Sequence, residues 1–192
     1  MKPLPVKFNT VTITTLAMIA AVGIIVRMTV RIPIIPEVVE ITPAFMFSLL
    51  GGIIGGIPGG ILVGLIVGLG GAIAGGEAVL LPLIGNMALG LGTGFVIHVE
   101  HNRDSVKFAI LTILGGGFIG GFLATFGIMV LFLGVDLVVA IIPAIIDLYQ
   151  ALGWAAVALL IESFIIRPII GTYLYSSDDE LLLESQGEQQ NE

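Results

Sequence analysis

The sequence predicts an all-α integral membrane protein built as a bundle of six transmembrane helices. Composition is the first indication: 57% of the 192 residues are hydrophobic, only 11% are charged, and the mean hydropathy is +1.14. A soluble domain would carry about 25% charged residues. The second indication is length, because the apolar material between residues 9 and 174 can supply several spans of about 20 residues each. Lipid is therefore the solvent for most of the chain.

Six apolar segments can be separated, and Pro58 divides the longest apolar run. Proline ends one helix and is tolerated in the first turn of the next, so the run 41–75 is split there into two spans. A single kinked helix is the alternative, but it would be far too long for one crossing. Pro143 is expected to precede the last span. The predicted spans are 9–30, 41–57, 58–75, 79–98, 106–133 and 144–171.

The basic residues predict that the N- and C-termini are both cytoplasmic. With six spans the two ends lie on one side, and lysine and arginine are enriched in cytoplasmic loops. Arg27 and Arg31 fall on the opposite, outer side. The residues that share the side of the termini are Lys2, Lys7, Arg103, Lys107 and Arg167. Residues 1–175 are thus expected to form the transmembrane domain, and the acidic stretch 176–192 a disordered C-terminal tail.

Small residues recur every four positions through the second and third spans. This spacing places them along one helix face, and small residues let helices approach closely in lipid. Two interpretations remain open: packing inside the bundle, or a surface on which another membrane protein docks. The row consists of Gly52, Gly56, Gly60, Gly64, Gly68, Ala72 and Gly76, and a second such surface is formed by Gly116, Gly117, Gly120 and Gly121.

Polar side chains gather toward the outer side, which predicts an outward-facing ligand pocket capped by the segment 31–40. Small-molecule sites combine an apolar wall with aromatic rings and a few placed polar groups. The candidate ligand-binding residues are Arg27, Arg31, Glu40, Glu77, Asn86, Asp147, Tyr149, Gln150 and Trp154. The aromatic pair is expected to stack on a ring of the ligand. The acids suit a cation and the arginines suit an anion, so the charge of the ligand stays open.

Each of these residues also has a simpler interpretation. Arg27 and Arg31 can reach lipid headgroups or pair with Glu37 and Glu40. The two aromatic side chains can belong to the interfacial aromatic belt of a membrane protein. The clustering of several polar residues on one side is what favours the pocket.

The sequence predicts neither an enzyme nor a cofactor or metal site. His98 and His101 lie three residues apart beside Glu100, but the chain has no second ligand cluster, and a solvated connection is favoured over a catalytic centre. Glu162 is either a proton-relay group or the partner of Arg167. No phosphate-binding loop, hydrolase elbow or zinc-binding helix motif is present, and no nucleic-acid partner is expected.

The chain resembles the substrate-binding S components of energy-coupling factor (ECF) transporters. Ala17-Met-Ile-Ala-Ala21 matches the Ala-x-x-x-Ala pattern of their first span, and ITPAFMFSLLGGIIGGIPGGILVGLIVGLGG (41–71) matches their proline followed by a glycine-rich helical pair. The resemblance extends over about residues 7–173. It implies a six-span protein of the prokaryotic plasma membrane with cytoplasmic termini, whose Ala17 and Ala21 meet a partner.

The resemblance also implies a mechanism and a set of partners. An S component binds a vitamin or related micronutrient from outside, closes its first loop over the site, and associates with a transmembrane coupling subunit and two cytoplasmic ATPases. It then reorients in the bilayer to release the ligand inside. The alternative function is a structural or assembly membrane protein whose glycine faces mediate helix packing and which binds no ligand.

Overall fold

The computed structural model describes residues 6–35, 39–75 and 79–176. Within these ranges, five helices are long and apolar enough to cross a membrane: Thr10–Thr29, Ala44–Ile73, Leu80–Val99, Val106–Leu131 and Leu137–Leu174. The outside of the bundle exposes many large apolar side chains, which a lipid environment would cover. The chain is thus an all-α, multi-pass membrane protein. Glu77 and most of the acidic tail lie outside the described residues.

The elements follow one another with short connections. They are α1 (Thr10–Thr29), β1 (Ile32–Ile35), β2 (Val39–Ile41), α2 (Ala44–Gly75), α3 (Leu80–Gly94), α4 (Val96–Val99), α5 (Val106–Leu114), α6 (Ala124–Leu131), α7 (Leu137–Ile161) and α8 (Arg167–Leu174). Two π-helical segments, Gly115–Leu123 and Glu162–Ile166, continue α5 into α6 and α7 into α8. The two short strands pair in antiparallel fashion, with Ile32 opposite Ile41.

Helix α2 is broken at Gly56 and folds back on itself. Gly56 has φ 62° and ψ −157°, a conformation that glycine adopts without the steric cost of a side chain. A methyl group added to Gly51 would lie 2.7 Å from Cβ of Val63. Twelve residues of straight helix would hold those two positions about 18 Å apart. The arms before and after Gly56 therefore run antiparallel, side by side.

The break lies two residues before the predicted boundary at Pro58. Proline falls instead in the first turn after the break, where its missing N–H costs no helical hydrogen bond. The last span also begins earlier than predicted. Asp136 accepts a hydrogen bond from the backbone N–H of Val138 at 2.9 Å and caps α7, which then continues through Pro143. The predicted start after Pro143 was wrong.

The glycines of this row from Gly52 to Gly68 pack inside the bundle, while Gly76 lies outside the described residues. A methyl group at Gly60 would lie 2.2 Å from the carbonyl oxygen of Gly90, and one at Gly64 would lie 2.3 Å from that of Asn86. At Gly68 the carbonyl oxygen of Pro82 would be 2.5 Å away. The second arm of α2 and α3 thus touch backbone to backbone, as small residues allow in lipid. Buried positions also hold Gly116, Gly117, Gly120 and Gly121. The internal-packing interpretation is confirmed for these residues.

The bundle has two polar ends, the cavity end and the termini end. At the cavity end α1 finishes, β1 and β2 form a hairpin, and α3 begins. At the termini end α1 starts and α8 finishes, and the break at Gly56 lies beside Ile97. The described segment before α1 meets the end of α8 there, because the N–H of Lys7 donates to the carbonyl of Leu174 at 2.8 Å.

Candidate ligand-binding site

A small, partly enclosed polar cavity lies at the cavity end. Its volume is about 30 Å³, room for roughly two water molecules. Helices α1, α2, α3, α6 and α7 and the first π-helical segment contribute to its wall, and β2 contributes one acid. The lining residues are Arg27, Glu40, Phe45, Leu81, Pro82, Gly85, Asn86, Gly120, Thr125 and Asp147. Four of the nine predicted ligand-binding residues are therefore brought together.

An ion pair joins the end of α1 to β2 across this cavity. The Nη1 atom of Arg27 lies 2.6 Å from Oε1 of Glu40, and both side chains are almost fully buried. Arg31 approaches Oε2 of the same acid at 3.9 Å but is about one-third exposed. The guanidinium carbon of Arg27 also lies 6.0 Å from the ring centre of Phe45. Of the partners considered from the sequence, Glu40 is confirmed for Arg27.

Asp147 is the second buried acid of the cavity, and neutral side chains donate its hydrogen bonds. The hydroxyl of Thr125 donates to Oδ2 at 2.6 Å, and the amide of Gln150 donates to Oδ1 at 2.6 Å. Gln150 also donates to the backbone carbonyl of Glu40 at 3.0 Å and accepts from the N–H of Thr42 at 3.4 Å. Gln150 thereby fastens the strand hairpin to α7.

Asn86 is part of the wall, and its amide serves the packing of helices. Ser48 donates to its Oδ1 at 2.8 Å, and its Nδ2 donates to the carbonyl of Pro82 at 2.8 Å. Both ends of the amide are used, so α3 is tied to the first arm of α2. The aromatic ring and hydroxyl that complete the wall, Phe45 and Thr125, were not selected from the sequence. A threonine in the apolar run of α6 was the available signal for the latter.

Tyr149 and Trp154 lie outside the cavity. They line a separate, open and largely apolar groove of about 610 Å³ on the outer side of α7. Tyr149 is 70% exposed. Helix geometry explains this, because a residue two positions after Asp147 points to the opposite side. Ile41 of β2 lines the groove while its neighbour Glu40 lines the cavity, so β2 and Gln150 separate the two spaces.

The remaining predicted site residues are distributed differently. Glu77 is not among the described residues. Ala17 and Ala21 both lie exposed on the outer face of α1, away from the core residues Leu16 and Ala20.

The termini end contains a second polar cluster, centred on Arg103. Its Nη1 donates to the carbonyl of Ile53 at 2.7 Å, and its guanidinium carbon lies 3.8 Å from the ring centre of Tyr175. Ile53 belongs to the last turn before the break in α2, where carbonyls have no helical partner. Burial lowers the pKa of Arg103 and raises the pKa of Tyr175. Arg103 therefore caps the first arm of α2.

Glu162, in the second π-helical segment, is fully buried at the same end. Its Oε1 accepts from Nε of Arg167 at 3.0 Å and its Oε2 from Nη2 at 2.5 Å, a two-point pair. Arg167 also contacts Asp104. Of the two roles considered from the sequence, the structure shows the ion pair with Arg167.

The histidine segment forms no metal cluster in the described part of the chain. Glu100 accepts from the N–H of Asn102 at 3.0 Å and pairs with Lys107 at 3.2 Å. The hydrogen bond from Asn102, followed by that from Lys107, lowers the pKa of Glu100. His98 is exposed and lies beside the ring of Phe95. Among the described residues, no group of three potential ligands is close enough to hold a metal ion.

Comparison with known proteins gives no assignment. No protein-family model matches the chain, and no curated protein matches it. The function is therefore argued from the geometry of the site.

Proposed function

We propose that the protein is the membrane-embedded, substrate-binding subunit of an ECF-type importer and captures a vitamin-like micronutrient. The observation that carries the proposal is the polar cavity at one of the two polar ends of the bundle. Arg27 and Asp147 are buried and the side chain of Glu40 is only 11% exposed, and charges held in this way at the edge of a membrane are costly unless they are paired or functional. A capture subunit needs such a cavity, and an assembly protein does not.

The proposed topology has six crossings, with both termini in the cytoplasm. The fold-back at Gly56 supports this count, because each arm of α2 then serves as one crossing. The first arm, from Ala44 to Gly55, is only about 18 Å long. This arm is shorter than the ~30 Å hydrocarbon core. At its far end, away from the cavity, Arg103 donates a hydrogen bond to the carbonyl of Ile53. The cavity end would then face outward.

The strand hairpin is proposed to act as the lid of the site. Among the described residues, Glu40 holds the hairpin to α1 and Gln150 holds it to α7. The cavity is too small for a vitamin, which requires several hundred cubic ångströms. Release of these contacts would open the space beneath the hairpin, and their formation around a ligand would close it.

The proposed partners are a transmembrane coupling subunit and two cytoplasmic ATPases. The exposed small side chains of Ala17 and Ala21 support a close helix–helix contact on α1. The glycine faces are unavailable for partner docking, because their described residues pack against other helices of the same chain. Partner docking is therefore assigned to α1.

A binding experiment tests the proposal. The purified protein, shown to be folded by its thermal transition, is analysed by native mass spectrometry and then offered a broad panel of water-soluble micronutrients. We expect a bound molecule of vitamin size or tight binding of one panel member. A folded protein that binds none of them would contradict the proposal and favour the structural alternative.

Substitution of the exposed alanines tests the partner assignment. Ala17→Trp should reduce uptake by roughly tenfold or more, because a bulky ring would hold the partner helix away, and should leave ligand affinity unchanged. Leu160→Trp, at an exposed position on α7, is the matched control and should transport normally. Loss of affinity in Ala17→Trp, with normal assembly, would contradict the assigned face.

A further inference from the structure

We infer that the ligand carries a hydrogen-bond-donating cation, such as a primary ammonium or amidinium group, which binds to the carboxylate of Asp147. This inference rests on the proposed function and narrows the class of substrate. It concerns a question that the sequence leaves open, because acids and arginines both occur in the candidate site.

The two acids of the cavity, Glu40 and Asp147, differ in the groups that they contact. Glu40 already has a counter-ion in Arg27 at 2.6 Å, and Arg31 approaches its other oxygen. Asp147 instead receives its hydrogen bonds from a hydroxyl and an amide. A carboxylate held by neutral donors gains more from an added cation than one that is already paired. A carboxylate or phosphate ligand would have to displace Glu40 from Arg27 and would face Asp147.

The hydrogen-bonding capacity of the wall gives the same answer. Each oxygen of Asp147 accepts one hydrogen bond and can accept another, since a carboxylate oxygen has two lone pairs. The hydroxyl of Thr125 donates its hydrogen to Asp147, and its oxygen can still accept a hydrogen bond. The Nδ2 atom of Asn86 already donates to Pro82. Apart from Arg27, which is paired with Glu40, the polar groups beside Asp147 thus offer acceptors, which match a ligand rich in N–H groups.

The size of the cavity sets which part of the ligand it receives. About 30 Å³ holds one ammonium group together with a water molecule. It does not hold a trimethylammonium group or an aromatic ring. The charged group would enter beneath the strand hairpin, and the body of the ligand would occupy the space created when the hairpin moves.

The test is a comparison of ligands by charge. The unmodified protein is titrated with pyridoxamine, whose aliphatic amine is a primary ammonium ion at neutral pH, with pyridoxine and riboflavin as compounds without an aliphatic amine, and with biotin and pantothenate as carboxylates. We expect the tightest ligand to be an amine-bearing cation, and pyridoxamine to bind better than pyridoxine, which has a hydroxyl in place of the amine. Tight binding of a carboxylate or of riboflavin would overturn the inference while leaving the proposed function intact. If no compound binds to the folded protein, the proposed function fails and the inference fails with it.

A substitution at the acid supplies the second measurement. Asp147→Asn keeps an oxygen acceptor but removes the charge, and should weaken binding of the cation by about ten- to a hundredfold. Asp136→Asn is the matched control, because it makes the same chemical change at the exposed cap of α7. Its affinity should stay within about twofold of the unmodified protein. An Asp147→Asn variant that folds and binds normally would overturn the inference. The charge comparison needs no variant and decides the question if this one does not fold.

Discussion

The two polar ends of this bundle use similar residues for different purposes. At the termini end, the guanidinium of Arg103 caps the carbonyl of Ile53 and stacks on Tyr175, and Glu162 is held at two points by Arg167. At the cavity end, charged groups surround a space of about 30 Å³. In the first arrangement the charged side chains contact other protein groups directly, and in the second they line a cavity that leaves room for a small group.

This difference shows how buried charge is to be interpreted in a membrane bundle. Charge alone does not distinguish a structural cluster from a binding site, since both ends contain buried arginine–glutamate pairs. What marks the cavity end is a space beside Asp147, a buried acid whose hydrogen bonds come from the neutral side chains of Thr125 and Gln150. The two ends should therefore respond differently to substitution, the termini end in stability and the cavity end in ligand affinity.

The largest loss of stability is expected where the backbone contact between α2 and α3 is broken, because this contact supports both ends of the bundle. Gly90→Leu would force a side chain into the backbone of Gly60, where even a methyl group would lie 2.2 Å from the carbonyl oxygen. We expect a loss of more than about 3 kcal/mol, so that little folded protein is recovered. Size-exclusion chromatography in detergent measures this. Gly127→Leu, where nothing lies within 4 Å of the added carbon, is the control and should fold.

Removal of the arginine cap should damage the termini end alone. Arg103→Met leaves the carbonyl of Ile53 without its charged donor and removes the contact with Tyr175. We expect the free energy of unfolding to fall by about 2 kcal/mol, measured by thermal unfolding in detergent. Ligand affinity should stay within about twofold, because the cavity lies at the other end of the bundle. Weakened binding without lost stability would contradict the division between the two ends.

Much of this organisation follows from sequence, and the limits have identifiable causes. Hydropathy locates the spans because length and apolarity decide them. The break at Gly56 was harder to predict from the sequence than one at Pro58. Glycine permits the backbone conformation of the break but does not require it. Asp136 caps the start of α7. The predicted start was wrong because Pro143 was expected to precede the helix, whereas α7 continues through it.

The candidate site was predictable in part, since four of the nine predicted residues line the cavity, but its geometry was not. The pairing of Arg27 with Glu40 needs a contact across the strand hairpin, which sequence spacing does not give. The outward direction of Tyr149 could be deduced by counting helix positions from Asp147. The cap on Ile53 by Arg103 joins residues fifty positions apart, and no local pattern indicates it.

The smallest effect is expected at Trp154, where two interpretations differ. Stacking on a ligand ring, the expectation from sequence, would make Trp154→Ala weaken binding by about 1–3 kcal/mol. The structure places this side chain in the outer groove, separated from the cavity by Gln150. We therefore expect a change of less than about twofold in affinity. Titration of the panel ligand against this variant decides between the two, and a tenfold loss would assign the groove to the ligand.

The most direct test of the central claim is the position of the bound ligand in a density map of the liganded protein. We expect density beneath the strand hairpin, with a nitrogen of the ligand within hydrogen-bonding distance of Asp147 and the pair between Arg27 and Glu40 intact. Density in the groove beside Tyr149 and Trp154, or next to Arg103 at the termini end, would contradict it.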